Sequence, residues 1–310
     1  MTTSLPHLLK VSDLDSERLL SLLESAIALK ADPAAADGCG RGRSVAILFE
    51  KPSLRTRFSL EAALAATGAH PVGAYDQEVG IGTREDVTDV GRVLGRYVAA
   101  IAMRTFDHAR LEQLAGAAGV PVINALSDTH HPLQALADLM TIAEHSCGGD
   151  VASLRGLPVA WVGDGNNVAN SLIEACALAG CLLRVACPAG FEPEPGLEQW
   201  ASERGAVVTL GHDPAAAVEG AAAVYTDVWA SMGREHEAGA RARVFEPYRV
   251  TPELMGRADP DAIFLHCLPA HRGQEVSASV IDGPASRVID QAENRMHTAL
   301  ALFVRLFREE

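Results

Sequence analysis

The run Phe49-Glu50-Lys51-Pro52-Ser53-Leu54-Arg55-Thr56-Arg57-Phe58 sets two hydroxyls and two guanidinium groups within positions 53–57. It stands between an apolar run, Val45 to Phe49, and a helical pattern carrying Ala62, Ala63, Leu64 and Ala66. A helix N-terminus at this point offers free backbone N–H groups and a partial positive charge, to which Ser53 and Thr56 add hydroxyls and Arg55 and Arg57 bidentate donors. That combination suits an oxyanion or a phosphate. A serine cap with two solvated arginines would account for a bare Ser-x-Arg, but this density of donors at one strand-to-helix turn favours phosphate. The spacing is not Gly-x-x-x-x-Gly-Lys-Ser, so a triphosphate loop is not indicated.

Five further segments carry candidate chemistry. Asp128-Thr129-His130-His131-Pro132-Leu133-Gln134 follows the run Val120 to Asn124 and opens a helix with proline first, placing His131 and Gln134 one turn apart. His-Pro alone is usually only a helix start. Arg104 closes the run Val98 to Met103, so Ser53, Arg104 and His131 come from three strand ends of one layer. Trp161-Val162-Gly163-Asp164-Gly165-Asn166-Asn167-Val168 tempts a dinucleotide reading, yet Val168 stands where the third glycine belongs, and the next strand ends in Cys187-Pro188 without a ribose-binding carboxylate. NAD is not expected, and Asn167 is left for hydrogen bonding. Asp227, in Thr226-Asp227-Val228-Trp229-Ala230-Ser231-Met232-Gly233, reads either as a loop cap or as a carboxylate for a cationic amine. The charged, glycine-containing stretch Arg234 to Arg243 beside it suits a closing lid. Cys267, in His266-Cys267-Leu268-Pro269, lacks a third orienting partner and reads as a buried thiol rather than a hydrolase nucleophile, with His266 and His271 near enough to tune it. Arg295, near the start of the last helical pattern, is either solvated or one more cation for phosphate.

These residues need a scaffold that brings strand ends together. An amphipathic helix over 13–30 is followed by apolar runs at 45–49, 72–75, 98–103 and 120–124, alternating with helical patterns at 53–67, 86–96, 108–117 and 132–145. Such alternation predicts an α/β fold with a parallel sheet. The pattern breaks at His145-Ser146-Cys147-Gly148-Gly149-Asp150 and restarts with strands expected at 157–162, 182–187, 206–210, 222–226, 262–266 and 287–290. Two doubly wound parallel-sheet domains joined by interdomain helices are therefore expected, 1–145 and 146–290, with a C-terminal helix over 291–310 packing back on the first.

Composition narrows the function classes. At 310 residues, 48% of them hydrophobic, the chain can fill two cores. The 40 acidic against 26 basic residues give a net charge of −14, which argues against binding nucleic acid or an anionic membrane surface, so an anionic ligand needs a local basic site. Six cysteines without Cys-x-x-Cys, and no His-Glu-x-x-His, predict a reduced protein with no metal. No basic region followed by a long apolar stretch opens the chain, and no apolar run approaches the ~20 residues of a membrane span. A cytoplasmic location is expected.

Taken in order, the motifs resemble those of the carbamoyltransferase superfamily, over essentially the whole chain. Ser53 to Arg57 is similar to its Ser-Thr-Arg-Thr-Arg motif, His131-Pro132-Leu133-Gln134 to His-Pro-x-Gln, and His266 to Pro269 to His-Cys-Leu-Pro. Asp227 to Gly233 resembles Asp-x-Trp-x-Ser-Met-Gly, which marks the branch acting on ornithine rather than aspartate. The resemblance implies transfer of a carbamoyl group from carbamoyl phosphate to the δ-amino group of ornithine, giving citrulline and phosphate in arginine metabolism. It implies no cofactor, and a homotrimer or an assembly of trimers with sites between neighbouring subunits. Carbamoyl phosphate would lie on Ser53, Leu54, Arg55 and Thr56, with Arg104, His131, Pro132, Leu133, Gln134, Cys267, Leu268 and Arg295 completing its site. Ornithine would be held by Asn167, Asp227, Ser231 and Met232, and the catalytic groups would be Arg104, His131 and Cys267. Two positions depart from the family pattern: Leu54 removes a hydroxyl, and Gly80 stands where many members carry a glutamine that reaches a neighbour's substrate. Competing readings are a carbamoyltransferase for putrescine or N-acetylornithine, and a non-catalytic paralogue.

Overall fold

The computed structural model describes residues 7–75, 80–230 and 238–308. Chain contacts divide them into two compact units, one formed by the residues up to Ala137 with those from Arg295 onward, the other by Asp138–Asn294. The division thus falls inside the helix Pro132–Ser146, ahead of the polar break at 145–150 that the sequence suggested.

The first unit is built on a five-stranded sheet in the order β1-β5-β4-β2-β3, with β1 His7–Leu8, β2 Ser44–Phe49, β3 His70–Tyr75, β4 Ala100–Arg104 and β5 Val122–Leu126. Every ladder in it is parallel. β2 and β4 are apolar and almost wholly buried because helices cover both faces, as parallel sheets require. Ala46, Leu48, Ile101 and Met103 pack on Leu111 and Leu114 of the helix His108–Ala118. β1 pairs His7 with Val122 and Leu8 with Ile123, and two residues are too few to leave a periodic signal in the sequence.

The second unit repeats the architecture in the order β10-β9-β6-β7-β8, again all parallel. Here β6 is Pro158–Val162, β7 Leu182–Ala186, β8 Val207–Gly211, β9 Ala223–Tyr225 and β10 Ile263–Leu265. The fold is α/β with two parallel sheets. The helix Asn167–Ala179 behind β6 is buried from Val168 onward, which explains its small and apolar composition.

One expected strand does not form. A single bridge, Ser286 to Phe264, forms just ahead of residues 287–290, and Arg287 donates its N–H to the Phe264 carbonyl at 2.9 Å. The chain then enters the helix Val288–Arg308. The apolar pair Val288-Ile289 gave the strand signal, yet Ile289 is 70% exposed while Val288 is buried, which is one turn of an amphipathic helix.

Candidate active site

Parallel pairing brings the carboxyl ends of β2, β4 and β5 to one edge of the first sheet. β2 leads into the helix Leu54–Thr67, capped by Ser53, whose hydroxyl accepts from the Thr56 N–H at 3.4 Å and donates to Thr56 Oγ1 at 3.0 Å. Thr56 is fully buried. Arg104, at the end of β4, donates through Nη1 to Thr56 Oγ1 at 3.3 Å, and Arg295 of the C-terminal helix donates to the same oxygen at 2.9 Å. Two guanidinium groups, each about 5% exposed, thus converge on one hydroxyl at a helix N-terminus. Arg55 is half-buried, and Leu54, at the start of the same helix, is 70% exposed. Arg57 turns away, bound to Glu61 at 2.7 Å and lying over the Tyr75 ring.

His131 precedes Pro132, and Leu133 and Gln134 follow it, all of them buried. Burial, reinforced by the charges of Arg295 and Arg104, holds the His131 imidazole well below its ordinary range. It is therefore neutral near pH 7 and can donate an N–H without adding a third cation. The adjacent His130 is lowered to about 4, by burial first and then by His108 and Lys10.

Gly80 has φ +60°, and a Cβ there would lie 3.1 Å from that of Arg84. The position is a left-handed turn suited to glycine.

In the second unit, Asp227 just beyond β9 is 5% exposed. Its Oδ2 accepts from Asn166 Nδ2 at 2.8 Å and its Oδ1 from the Cys267 thiol at 3.0 Å. Asn166 also caps the helix Asn167–Ala179 through the N–H groups of Val168 and Ala169. Asn167, half-buried, begins that helix. The sequence reading does not single out Asn166, although an asparagine directly before a helix is a recognisable cap. Donor atoms of Asp227, His266 and Cys267 lie within 4.8 Å of one another. They are engaged with protein: His266 Nδ1 accepts the Leu268 N–H at 2.9 Å, and its Nε2 lies 3.3 Å from the fully buried Glu275. Leu268 is held at φ +58°, a costly conformation for leucine, next to a cis Leu268–Pro269 bond. The expected ligands Ser231 and Met232 lie outside the described residues.

The family description "Aspartate/ornithine carbamoyltransferase, carbamoyl-P binding domain" matches residues 6–144, and "Aspartate/ornithine carbamoyltransferase, Asp/Orn binding domain" matches 155–306. The chain belongs to the aspartate/ornithine carbamoyltransferase family. Among its relatives in that family, an ornithine carbamoyltransferase of Thermus thermophilus is 50% identical over 97% of this chain and 96% of its own length. One from Methanothermobacter thermautotrophicus is 47% identical over 96% and 97%. The solved carbamoyltransferase of Pyrococcus furiosus superposes with a TM-score of 0.91 at 45% identity, covering 97% of this chain and 96% of that one. The Thr56 centre lies inside the segment matched as binding carbamoyl phosphate, apart from Arg295, which falls in the segment matched as binding the amino acid.

Proposed function

We propose that this chain transfers the carbamoyl group of carbamoyl phosphate to the δ-amino group of ornithine, releasing citrulline and phosphate. The observation that carries the reading is the convergence of Arg104 and Arg295 on the buried Thr56 hydroxyl at a capped helix N-terminus. We assign carbamoyl phosphate to Ser53, Leu54, Arg55, Thr56, Arg104, His131, Pro132, Leu133, Gln134, Cys267, Leu268 and Arg295. We assign ornithine to Asn167, Asp227, Ser231 and Met232.

The chemistry follows from these groups. An alkyl ammonium with a pKa of ~10.4 is mostly protonated at pH 7, so the site must take the neutral amine, which nearby guanidinium groups favour. Its nitrogen attacks the carbamoyl carbon, charge builds on the carbonyl oxygen, and Arg104, neutral His131 and the Thr56 hydroxyl stabilise it. The C–N bond forms, the C–O bond to phosphate breaks, and the leaving phosphate takes the amine's proton. Asp227 pairs with the α-amino group, while Cys267, hydrogen-bonded to Asp227, orients rather than forms a covalent intermediate.

We further assign the chain to arginine biosynthesis in the cytoplasm, as a homotrimer or an assembly of trimers. Leu54 and Phe58, one turn apart on the helix Leu54–Thr67, are 70% and 63% exposed, apolar groups that association would cover. No described helix is long and apolar enough to cross a membrane. The deciding experiment is citrulline formation by the purified protein from carbamoyl phosphate and ornithine, with putrescine, N-acetylornithine and aspartate in parallel. Preference for ornithine is expected; turnover of another amine instead, or of none, overturns the assignment.

A further inference from the structure

The second unit buries a cation outside the set of substrate ligands assigned above. Arg241, in the helix Ala238–Phe245, is 5% exposed. Its Nε donates to the carbonyl oxygen of Trp229 and its Nη2 to the carboxylate of Asp164, which is itself only 13% exposed. The guanidinium packs against a pair of rings, 4.6 Å from the centroid of Phe191 and 5.0 Å from that of Phe245, which meet edge to face with centroids 4.9 Å apart. A buried guanidinium that packs on aromatic rings and donates to both the Trp229 carbonyl and the Asp164 carboxylate has a fixed geometry, and its planar fork is what fixes it.

Both acceptors belong to the segments that carry the amino-acid ligands. Trp229 stands two residues after Asp227, and Asp164 two residues before Asn166, which donates to Asp227. The Asp164 backbone is held as well, its carbonyl accepting from Trp161 Nε1 at 3.1 Å. Gly165 presses against the Phe191–Pro193 backbone, donating to the Phe191 carbonyl at 2.9 Å. One side chain thereby ties the ends of β6 and β9 to each other and to the strip that carries Phe191.

We propose that Arg241 is a positioning residue for the amino-acid substrate: by bridging Asp164 and Trp229 it sets the placement of Asn166 and Asp227, and with it the affinity for ornithine but not for carbamoyl phosphate. The inference rests on the assignment of Asp227 to ornithine. Arg241 touches no substrate in this scheme. Removing it breaks the bridge between the Asp164 carboxylate and the Trp229 carbonyl, which loosens the β6 end against the β9 end.

Steady-state kinetics of Arg241→Met, Arg241→Lys and Asp164→Asn test this, with Asp227→Asn as the control. Arg241→Met is expected to raise KM for ornithine at least ~10-fold, equivalent to about 1.4 kcal/mol, while KM for carbamoyl phosphate stays near wild type. Arg241→Lys keeps the charge but not the fork and falls between. Adding Asp164→Asn to Arg241→Met has little further effect, because the two act as one unit. Unchanged ornithine KM in Arg241→Met, with Asp227→Asn impaired, overturns the inference and leaves the ornithine assignment standing. An unimpaired Asp227→Asn removes both. A parallel rise in both KM values reduces Arg241 to a general structural role and overturns the proposal. Should Arg241→Met fail to fold, Asp164→Asn carries the same comparison.

Discussion

Thr56 illustrates how a residue with modest chemistry becomes a centre through what surrounds it. Its hydroxyl would be an ordinary helix group if Arg104 and Arg295, 48 and 239 positions away, did not both reach it. Two buried cations would ordinarily repel, and they are held together by hydrogen bonds to one oxygen and by an approaching anion. The same burial that concentrates positive charge there keeps the histidines neutral. His130 makes this measurable: it titrates at 6.5 in the unfolded chain and at about 4 in the folded one. Between those values the unfolded chain holds the extra proton, so stability is complete above pH 6.5 and falls as the pH drops toward 4. His108, lowered mainly by burial, adds a contribution of the same sign. At 1.36 kcal/mol per pKa unit the His130 share is about 3 kcal/mol, so urea unfolding of His130→Gln should lose that much less stability between pH 7 and pH 4 than the parent chain. Equal losses would remove His130 as the cause.

At the scale of elements, the strand ends do the positioning, and small residues let them approach. Gly165 follows β6 where the chain passes the Phe191–Pro193 strip, and a Cβ on it would lie 2.2 Å from Pro193 N and 2.3 Å from the carbonyl carbon of Glu192. Both are backbone atoms, so the clash cannot be relieved by a rotamer change. Gly165→Ala is expected to destabilise the protein by about 3 kcal/mol, at the upper end of overpacking costs, read as a lower urea midpoint. Wild-type stability in that variant would mean that the strip moves freely. Elements also explain where reading the sequence stopped short. Most strands and helices were legible because each is a run of apolar residues at one period, bounded by caps such as Asp107 and Asn166. The proposed strand at 287–290 failed because Val288-Ile289 has no period of its own, and whether it bridges β10 or begins a helix depends on the neighbours it meets.

For the whole molecule, the two parallel sheets account for why substrate-sized chemistry can be built from short motifs far apart in sequence: each sheet delivers several carboxyl ends to one edge. The net charge of −14 leaves binding of an anion to the local cluster at Thr56. The assignment to a trimeric assembly has a direct consequence. Three chains of 32.7 kDa make a particle of about 98 kDa, so sedimentation should return that mass or a multiple of it. A stable single chain at micromolar concentration would overturn the trimer.

By itself the amino-acid order determined the α/β class, most of the elements, and the residue types that can meet a phosphate and an amine, because hydrophobic period, caps and motif spacing are local properties. What only the tertiary structure decided are the partnerships: Arg295 on Thr56, Asn166 on Asp227, His266 held between the Leu268 N–H and Glu275, and Arg241 clamped on Asp164. None of these has a local signature. A hydrogen bond between side chains tens or hundreds of residues apart depends on sheet order and on which atoms are left buried, and those are set only when the whole chain has closed.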